Sequence, residues 1–145
     1  MMDSVNRKGN NEKEMLALVR ERSLANPFPK HCHVVLAELK RDYAEMYVDL
    51  TPELTNYAGA AHGGLLFTMA DFCASTCART DGRKYVTLDA EAHYLKNVKT
   101  GRLTAKSKLI HRGRTSVLVD VEICSEEEVL LFTSRITLFC VGEYT

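Results

Sequence analysis

The sequence has no excess of either charge, no long apolar segment and no signal-peptide pattern. Its 19 acidic and 19 basic residues balance, so no overall field attracts nucleic acid or an anionic membrane. The most apolar stretch, residues 65–78, is too short to span a bilayer and is interrupted by Asp71. Residues 1–10 are polar and lack the apolar core of a signal peptide. We therefore expect a cytoplasmic protein that binds neither nucleic acid nor a membrane.

Cysteines are few, and they are not arranged as a disulfide framework or a metal site. The chain has five, an odd number, and their spacing does not fit a set of tetrahedral ligands. Cys73 and Cys77 lie four residues apart, on one face of a predicted helix. Two thiols alone do not hold a metal, so we interpret them as small buried hydrophobic residues. The sequence thus predicts no metal site and is typical of a cytosolic protein.

Length and composition indicate one globular domain with a short leader. Of the 145 residues, 46% are hydrophobic and 26% are charged, as is usual for a folded soluble chain. Residues 1–30 form the expected leader. After a disordered start, helical spacing runs from Glu12 to Leu24 and ends at Pro27 and Pro29. Residues 31–145 form the expected main domain.

The main domain has one helical pattern among several strand patterns. Residues 62–79 are apolar on nearly all sides, which indicates a buried helix. Alternation of apolar and polar residues predicts strands, most clearly in residues 115–125. In order, the predicted strands cover residues 34–39, 44–50, 85–94, 102–111, 115–125 and 129–141. We therefore predict an α+β fold of the hotdog type, in which an antiparallel sheet of five to six strands wraps one long central helix.

One acidic residue, Asp71, lies within this apolar helix. An unpaired carboxylate is costly to bury, so a sequence that keeps one there usually has a use for it. Gly64 and Asp71 are seven residues apart, so they share a helix face but are separated by about 10 Å along the axis. The helix start offers free N–H groups to a developing oxyanion. A reacting carbonyl must lie about 3 Å from both the oxyanion donors and the attacking group. One copy of the helix cannot supply both, so we predict a homodimer with antiparallel helices and a site across the interface.

A set of residues around this helix resembles a known enzyme family. The set is Asn56, Gly59, His62-Gly63-Gly64, Phe67 and Asp71. At these spacings the sequence resembles the PaaI-like (phenylacetic acid degradation type) branch of the hotdog-fold acyl-CoA thioesterases, over about residues 34–141. The resemblance implies hydrolysis of an aryl- or acyl-CoA thioester to free acid and coenzyme A. Coenzyme A would enter as part of the substrate, with no separate cofactor.

The resemblance also implies a role for each matching position. The backbone N–H of Gly64 and the side chain of Asn56 would hold the thioester carbonyl. Asp71 of the partner subunit would act as general base or as nucleophile. Thr87, on the next strand, would help to orient water. His62 would shape the loop and the helix start rather than transfer protons.

A run of basic residues supplies the expected coenzyme A contacts. No acid lies between residues 92 and 119, but seven bases do: Lys96, Lys99, Arg102, Lys106, Lys108, Arg112 and Arg114. The Arg112-Gly113-Arg114-Thr115 turn resembles the family's segment near the pantetheine and nucleotide, and guanidinium groups suit phosphates. We expect Gly63 and these four turn residues to contact coenzyme A. The alternative is that the basic run is the solvated face of two strands.

Plainer structural roles stay open for several of these residues. Asp71 could be a satisfied polar group bonded to Thr68 or Ser75 one turn away. Asn56 could be only a turn residue, and Thr87 an ordinary strand residue. The complete motif favours the catalytic roles of Asp71 and Asn56, whereas both roles stay open for Thr87.

Three other functions fit the sequence less well than thioester hydrolysis. A non-catalytic acyl-CoA-binding module would have no use for Asp71. A hydratase needs a working Asp–His pair, whereas His62 and Asp71 point to opposite sides of the helix. An α/β-hydrolase is excluded because the chain has no Gly-x-Ser-x-Gly elbow. For the thioesterase we expect a homodimer, paired into a tetramer as a dimer of dimers, with an acyl pocket at the interface lined by Leu65, Phe67, Met69 and Phe72.

Overall fold

Two helices precede the sheet. The computed structural model describes residues 2–144 and the side chains of residues 9–144, and these helices are α1 (Met2–Leu24) and α2 (Pro27–His31). The sequence predicted only the part of α1 from Glu12 onward, after a disordered start, whereas in the structure the helix begins at Met2. Pro27 opens α2, where its missing N–H is tolerated because first-turn N–H groups have no acceptor within the helix.

Helix α1 packs against the rest of the chain. Val19 of α1 is fully buried, and the Ser23 Oγ lies 3.4 Å from the Thr76 Oγ1. Met15 covers Gly82 so closely that a Cβ there would lie 2.8 Å from the methionine Cε. Within residues 2–144, no helix combines the length and the apolar character that crossing a membrane requires.

Six antiparallel strands form one sheet with the order β1-β2-β4-β5-β6-β3. The strands are β1 (Val35–Lys40), β2 (Tyr43–Asp49), β3 (Arg83–Tyr94), β4 (Arg102–Arg112), β5 (Ser116–Cys124) and β6 (Leu130–Glu143). A short 3₁₀ helix, Pro52–Leu54, precedes the central helix α3, Gly63–Arg79. Helix α3 contacts β2, β3, β4, β5 and β6. The predicted hotdog arrangement, a sheet wrapped around one helix, is confirmed.

Helix α3 is buried on all but one side. Ten of its residues are buried, including Cys73 and Cys77, whose pKa is raised by burial. The residues that are not buried after the first glycine recur every three or four positions and form one stripe: Gly64, Phe67, Thr68, Asp71, Ser75 and Arg79. The sequence did not predict this uncovered stripe. Because Asp71 lies on this stripe, it is only half-buried within one chain.

Strand β3 forms a free edge beside that stripe. Its pairing with β6 is interrupted between Thr87 and Asp89, where Leu88 is the extra residue of a bulge. Val86 is 48% and Leu88 63% exposed. The unpaired backbone of a sheet edge can pair with another strand, and Val86 and Leu88 add exposed apolar surface between the charged residues Lys84 and Asp89.

Candidate active site

Asp71 and Thr87 form the centre of the candidate site. The Thr87 hydroxyl donates a hydrogen bond of 2.7 Å to the Asp71 Oδ1. Asp71 projects from the uncovered stripe of α3, and Thr87 comes from the edge strand β3 at its bulge. Bulges re-aim side chains and are common next to active sites. The two residues, sixteen positions apart, are thus brought into direct contact.

The plainer partners considered for Asp71 are bonded elsewhere. The Thr68 hydroxyl donates to the Gly64 carbonyl at 2.8 Å. The Ser75 hydroxyl donates to the carbonyl of Phe72 at 3.1 Å and accepts from Arg79 Nη2 at 2.9 Å. Asp71 is therefore held by the strand and not by its own helix, and one carboxylate oxygen has no bond to another described residue.

His62 is the N-cap of α3. Its Nδ1 accepts a hydrogen bond of 2.9 Å from the Gly64 N–H. The Gly64 N–H, expected to hold the thioester carbonyl, is therefore already bonded within its own chain. The Gly63 N–H makes no hydrogen bond to any of residues 2–144. Of the two glycines, Gly63 presents the free donor, which corrects the assignment made from the sequence.

Tyr94, which was not predicted from the sequence, supports the helix start. Its hydroxyl donates to the Gly63 carbonyl at 3.0 Å. A Cβ at position 63 would lie 3.2 Å from the Tyr94 ring, so a side chain there would crowd it. The ring packs edge-on against Phe132, with centroids 5.0 Å apart. No sequence pattern links residues 31 positions apart, so nothing could have found this contact.

Asn56 combines a turn role with a free donor. Its Oδ1 accepts from the N–H groups of Ala58 at 2.9 Å and Ala60 at 3.1 Å. This is the turn role left open by the sequence. Its Nδ2 donates to no other described residue. The side chain is thus fixed by the turn, and its amide protons are available to a ligand.

One chain cannot bring all these groups around a single atom. Gly63 and Asp71 are eight residues apart on one helix, or about 12 Å along its axis. A carbonyl bonded to the Gly63 N–H is therefore out of reach of Asp71 in the same chain.

A family comparison covers most of this region. The sequence model of the thioesterase superfamily matches residues 58–132, which is more than half of the chain. The match begins in the turn that Asn56 holds, includes α3 and ends in β6. The chain belongs to the thioesterase superfamily.

Solved structures of thioesterase-like proteins share the fold. A hypothetical thioesterase of Streptococcus pneumoniae, solved with coenzyme A, is 29% identical; the match has a TM-score of 0.74 and covers 77% of this chain and 91% of that one. A thioesterase of Haemophilus influenzae is 25% identical, with a TM-score of 0.79 over 88% of this chain and 90% of that one. The PaaI protein from the E. coli phenylacetic acid degradation operon is 19% identical, with a TM-score of 0.81 over 89% and 97%. The last similarity shows the fold alone.

In this thioesterase superfamily member, Arg112 is a structural residue. Its Nη2 lies 2.7 Å from Asp42 Oδ1 and its Nη1 2.6 Å from Asp81 Oδ2. Nη1 also donates to the Ala78 carbonyl at the end of α3, at 2.9 Å. The arginine side chain is only 13% exposed. The prediction that Arg112 binds coenzyme A is therefore wrong for its guanidinium, which is committed to two aspartates.

In the rest of the turn that was predicted to bind coenzyme A, the backbone carbonyls accept hydrogen bonds that hold the turn in place. Arg83 donates from Nη1 to the Arg114 carbonyl at 2.7 Å and from Nη2 to the Gly113 carbonyl at 3.0 Å. The Thr115 carbonyl accepts from the Cys140 N–H at 2.8 Å. The side chains of Arg114 and Thr115 are exposed. The turn is thus rigid, and Arg114 is its accessible cation.

Two of the seven residues in the basic run, Arg102 and Arg112, are paired with carboxylates. Arg102 forms two hydrogen bonds with Asp49, at 2.8 and 3.0 Å, and lies over the Tyr47 ring. Lys106 lies across the sheet between Glu45 and Glu122. For these residues the solvated-face alternative is the better description. Lys96, Lys99, Lys106, Lys108 and Arg114 make no ion pair with any described residue.

A cleft of about 680 Å³ lies between α2 and the start of α3. Of the expected acyl-pocket residues, Leu65 lines it. Met69 and Phe72 are instead buried in the core, and Phe67 is 38% exposed on the stripe. Only part of the expected pocket is therefore accessible in one chain, and α2 contributes wall residues that the sequence did not predict.

Proposed function

We propose that this protein is an acyl-CoA thioesterase that hydrolyses an aryl- or acyl-CoA thioester to the free acid and coenzyme A. The observation that carries the proposal is the Asp71 carboxylate, which lies on the uncovered stripe of α3 and is oriented by Thr87 at 2.7 Å. The Streptococcus pneumoniae protein offers a parallel. Its structures include alanine variants of an aspartate and a threonine whose positions differ by 16, the same separation as here.

The reaction requires an oxyanion site and a base on opposite sides of the thioester carbon. The Gly63 N–H and the Asn56 Nδ2 are free donors for the carbonyl oxygen. Asp71 of a second copy takes a proton from a water, whose oxygen attacks the carbonyl carbon. The intermediate then collapses, the C–S bond breaks, and coenzyme A leaves as a thiolate that takes up a proton. In the alternative route Asp71 attacks directly and water opens the mixed anhydride.

A homodimer would complete this site. Because Thr87 reaches Asp71, the free edge of β3 lies beside the uncovered stripe, and one partner can cover both. Two α3 helices running antiparallel would place each Asp71 near the other's Gly63. Further pairing into a tetramer stays part of the proposal.

Coenzyme A would be held by exposed cations at both ends of α3. Lys96 and Lys99 lie near the helix start, since the neighbouring Asn97 Nδ2 donates to the Ala61 carbonyl at 2.9 Å. Arg114 lies near the helix end, because its turn is tied to Ala78 through Arg112. Antiparallel pairing would bring Arg114 of one copy toward the lysines of the other. A cytoplasmic location, where five free thiols stay reduced, completes the proposal.

Hydrolysis of a panel of acyl-CoA thioesters tests the proposal. Phenylacetyl-, benzoyl-, short-chain and medium-chain acyl-CoA are incubated with the protein, and released thiol is measured. Asp71→Asn should lower kcat by about a thousandfold. The matched control is Asp49→Asn, which removes an exposed carboxylate from the outer sheet and should leave kcat unchanged. Binding without turnover by the unaltered protein would favour the non-catalytic acyl-CoA module instead.

Mixing two inactive variants tests whether the site is shared between chains. Asp71→Asn and Asn56→Ala are co-refolded in equal amounts. In a shared site, each mixed dimer has one site with both changes and one with neither, so about a quarter of the activity returns. If each site lies within one chain, the mixture stays inactive.

A further inference from the structure

The first turn of α3 carries the free Gly63 N–H but holds it only weakly by itself. Gly63 and Gly64 have no side chains, so their backbone angles are less restricted than those of other residues. The His62 carbonyl, which belongs to the same peptide unit as the Gly63 N–H, is shared between the N–H groups of Leu65 at 3.0 Å and Leu66 at 3.3 Å. Such shared bonds are common at helix termini, and helix ends fray. The direction of the free N–H therefore depends on contacts from outside this turn.

Tyr94 supplies such a contact. Its hydroxyl donates to the Gly63 carbonyl at 3.0 Å, while the N–H of the same peptide unit, from Gly64, donates to the His62 Nδ1 at 2.9 Å. This peptide unit is thus fixed at both its carbonyl and its N–H, which restricts the ψ angle of Gly63. The preceding unit, with the free N–H, is oriented through that angle. Among the described residues outside α3 and its N-cap, Tyr94 alone hydrogen-bonds to the glycine pair.

The segment that carries Tyr94 is attached to the same part of the chain at a second place. Shortly after β3, the Asn97 Nδ2 donates to the Ala61 carbonyl at 2.9 Å. The Val98 carbonyl accepts from the Ala61 N–H, also at 2.9 Å. On the other side, the Tyr94 ring is held by the fully buried Phe132. The hydroxyl therefore approaches the helix start from a fixed support.

Packing accounts for the Tyr94 ring but not for its hydroxyl. A phenylalanine would keep the contact with Phe132 and would fill the same space beside Gly63, where a Cβ would lie 3.2 Å from the ring. Tyr94 is 54% exposed, and water competes for an exposed hydrogen bond, so the hydroxyl contributes little to stability. Its distinguishing effect is on the orientation of the glycine pair.

We propose that Tyr94 is a positioning residue for thioester hydrolysis, whose hydroxyl keeps the Gly63 N–H aimed at the developing oxyanion. This inference rests on the proposed function. An oxyanion donor is most effective when its direction is fixed before the reaction, because no reorganisation is then needed as charge develops. The charged intermediate gains more from this N–H than the neutral thioester does. Loss of the hydroxyl should therefore slow the chemical step more than it weakens substrate binding.

Kinetics of Tyr94→Phe test the proposal on an acyl-CoA that the wild type hydrolyses. We expect kcat to fall about tenfold, a fraction of the loss of about a hundredfold or more that follows removal of a whole oxyanion donor. KM should change by less than about twofold. The Ki of S-propyl-CoA, a thioether without a carbonyl, should stay the same, and Tm should fall by no more than about 2 °C.

The matched control is Tyr43→Phe. The Tyr43 hydroxyl donates to Glu45 at 2.9 Å, on the side of β2 that faces away from the core. The control thus also removes one hydroxyl and one donated hydrogen bond, but far from the glycine pair in the fold. It should leave kcat, KM and the Ki of S-propyl-CoA unchanged.

Infrared spectroscopy of a bound thioester gives a readout that a purely structural hydroxyl would not move. A hydrogen bond to the thioester oxygen lowers the carbonyl stretching frequency, and a ¹³C label in the carbonyl isolates this band. Asp71→Asn turns over slowly enough to be measured with substrate bound. Adding Tyr94→Phe to Asp71→Asn should reduce the downward shift of the band, whereas adding Tyr43→Phe should not.

The possible outcomes separate this inference from the proposed function. Wild-type kcat in Tyr94→Phe overturns the inference, and so does a lower kcat with an unchanged carbonyl frequency. A rise in KM and Ki at constant kcat also overturns it, because it would assign Tyr94 to substrate binding. In each of these cases the wild type is active. If the wild type hydrolyses no thioester of the panel, the proposed function itself fails and this inference fails with it.

Discussion

The Thr87 hydroxyl reaches Asp71 because a bulge shifts the alternation of β3. Before the bulge Tyr85 and Thr87 face the helix, and after it Ala90 and Ala92 do. The extra residue, Leu88, changes the side-chain phase by one position. Without it, the strand could not present both the hydroxyl and the two alanines to α3. The orientation of the carboxylate is thus built into the strand pairing.

Replacing Thr87 by valine should lower kcat by about tenfold, because the isosteric side chain keeps its shape but cannot donate to Asp71. Thr87→Ser keeps the hydroxyl and should retain most of the activity. Kinetics on one acyl-CoA substrate and thermal unfolding are measured for both variants. Thr133→Val on β6 serves as the control. Equal loss in the serine and valine variants would show that packing, and not the hydrogen bond, is what matters.

Replacing His62 by alanine should destabilise the protein by about 1 kcal/mol, because the Gly64 N–H loses its acceptor at the helix start. This corresponds to a fall in Tm of about 4 °C. His62→Asn supplies another capping oxygen and should keep most of the stability. Unfolding by heat and by urea measures both effects. His93→Ala removes an exposed histidine from β3 and is the control; an asparagine variant as unstable as the alanine one contradicts the capping role.

Alanine variants of Arg112 and Arg114 should separate an effect on stability from an effect on coenzyme A binding. Arg112→Ala removes one of the two arginines that pair with Asp81, whose side chain is 6% exposed, and also the donor to the Ala78 carbonyl, so it should cost about 2 kcal/mol. Arg114→Ala should leave Tm unchanged and raise KM several-fold for acyl-CoA. With a phosphate-free acyl-N-acetylcysteamine substrate, the Arg114 effect should disappear. A stable Arg112→Ala variant with weakened acyl-CoA binding would reinstate the original prediction.

Lowering the pH should destabilise the fold by protonating Asp81. Burial alone would raise the pKa of Asp81, but hydrogen bonds from Tyr85 and Arg83 lower it. The charge of Arg112 lowers it further, so the net pKa lies below its usual value. A lowered folded-state pKa stabilises the fold above the unfolded value, about 3.9, and this contribution is lost as pH falls through the folded value.

Thermal unfolding between neutral pH and about pH 3 measures this loss. Asp81→Asn lacks the contribution at every pH, so its Tm should be lower near neutral pH and should fall less steeply in acid. Asp120→Asn, which disrupts the exposed pair with Arg135, should follow the wild-type slope. Parallel acid slopes in wild type and Asp81→Asn would place the acid-sensitive group elsewhere.

The sequence by itself determined the order of the elements and the identity of the key carboxylate. Strand alternation and helical spacing are local patterns, so the six strands and α3 were predicted to within a few residues. The motif from Asn56 to Asp71 is likewise local, and it led to the family. It did not distinguish Gly63 from Gly64 as the free donor, because that depends on the rotamer of His62.

Only the tertiary structure decided which polar groups are free. Arg112 looked available, yet Asp42 and Asp81, 70 and 31 residues away, capture its guanidinium. Tyr94 reaches Gly63 only because β3 returns along the helix. Long-range partners depend on how the sheet wraps the helix, and that wrapping leaves one stripe of α3 uncovered. Spacing along the chain identifies the groups able to do chemistry, while packing decides which of them remain unbonded and accessible to a substrate.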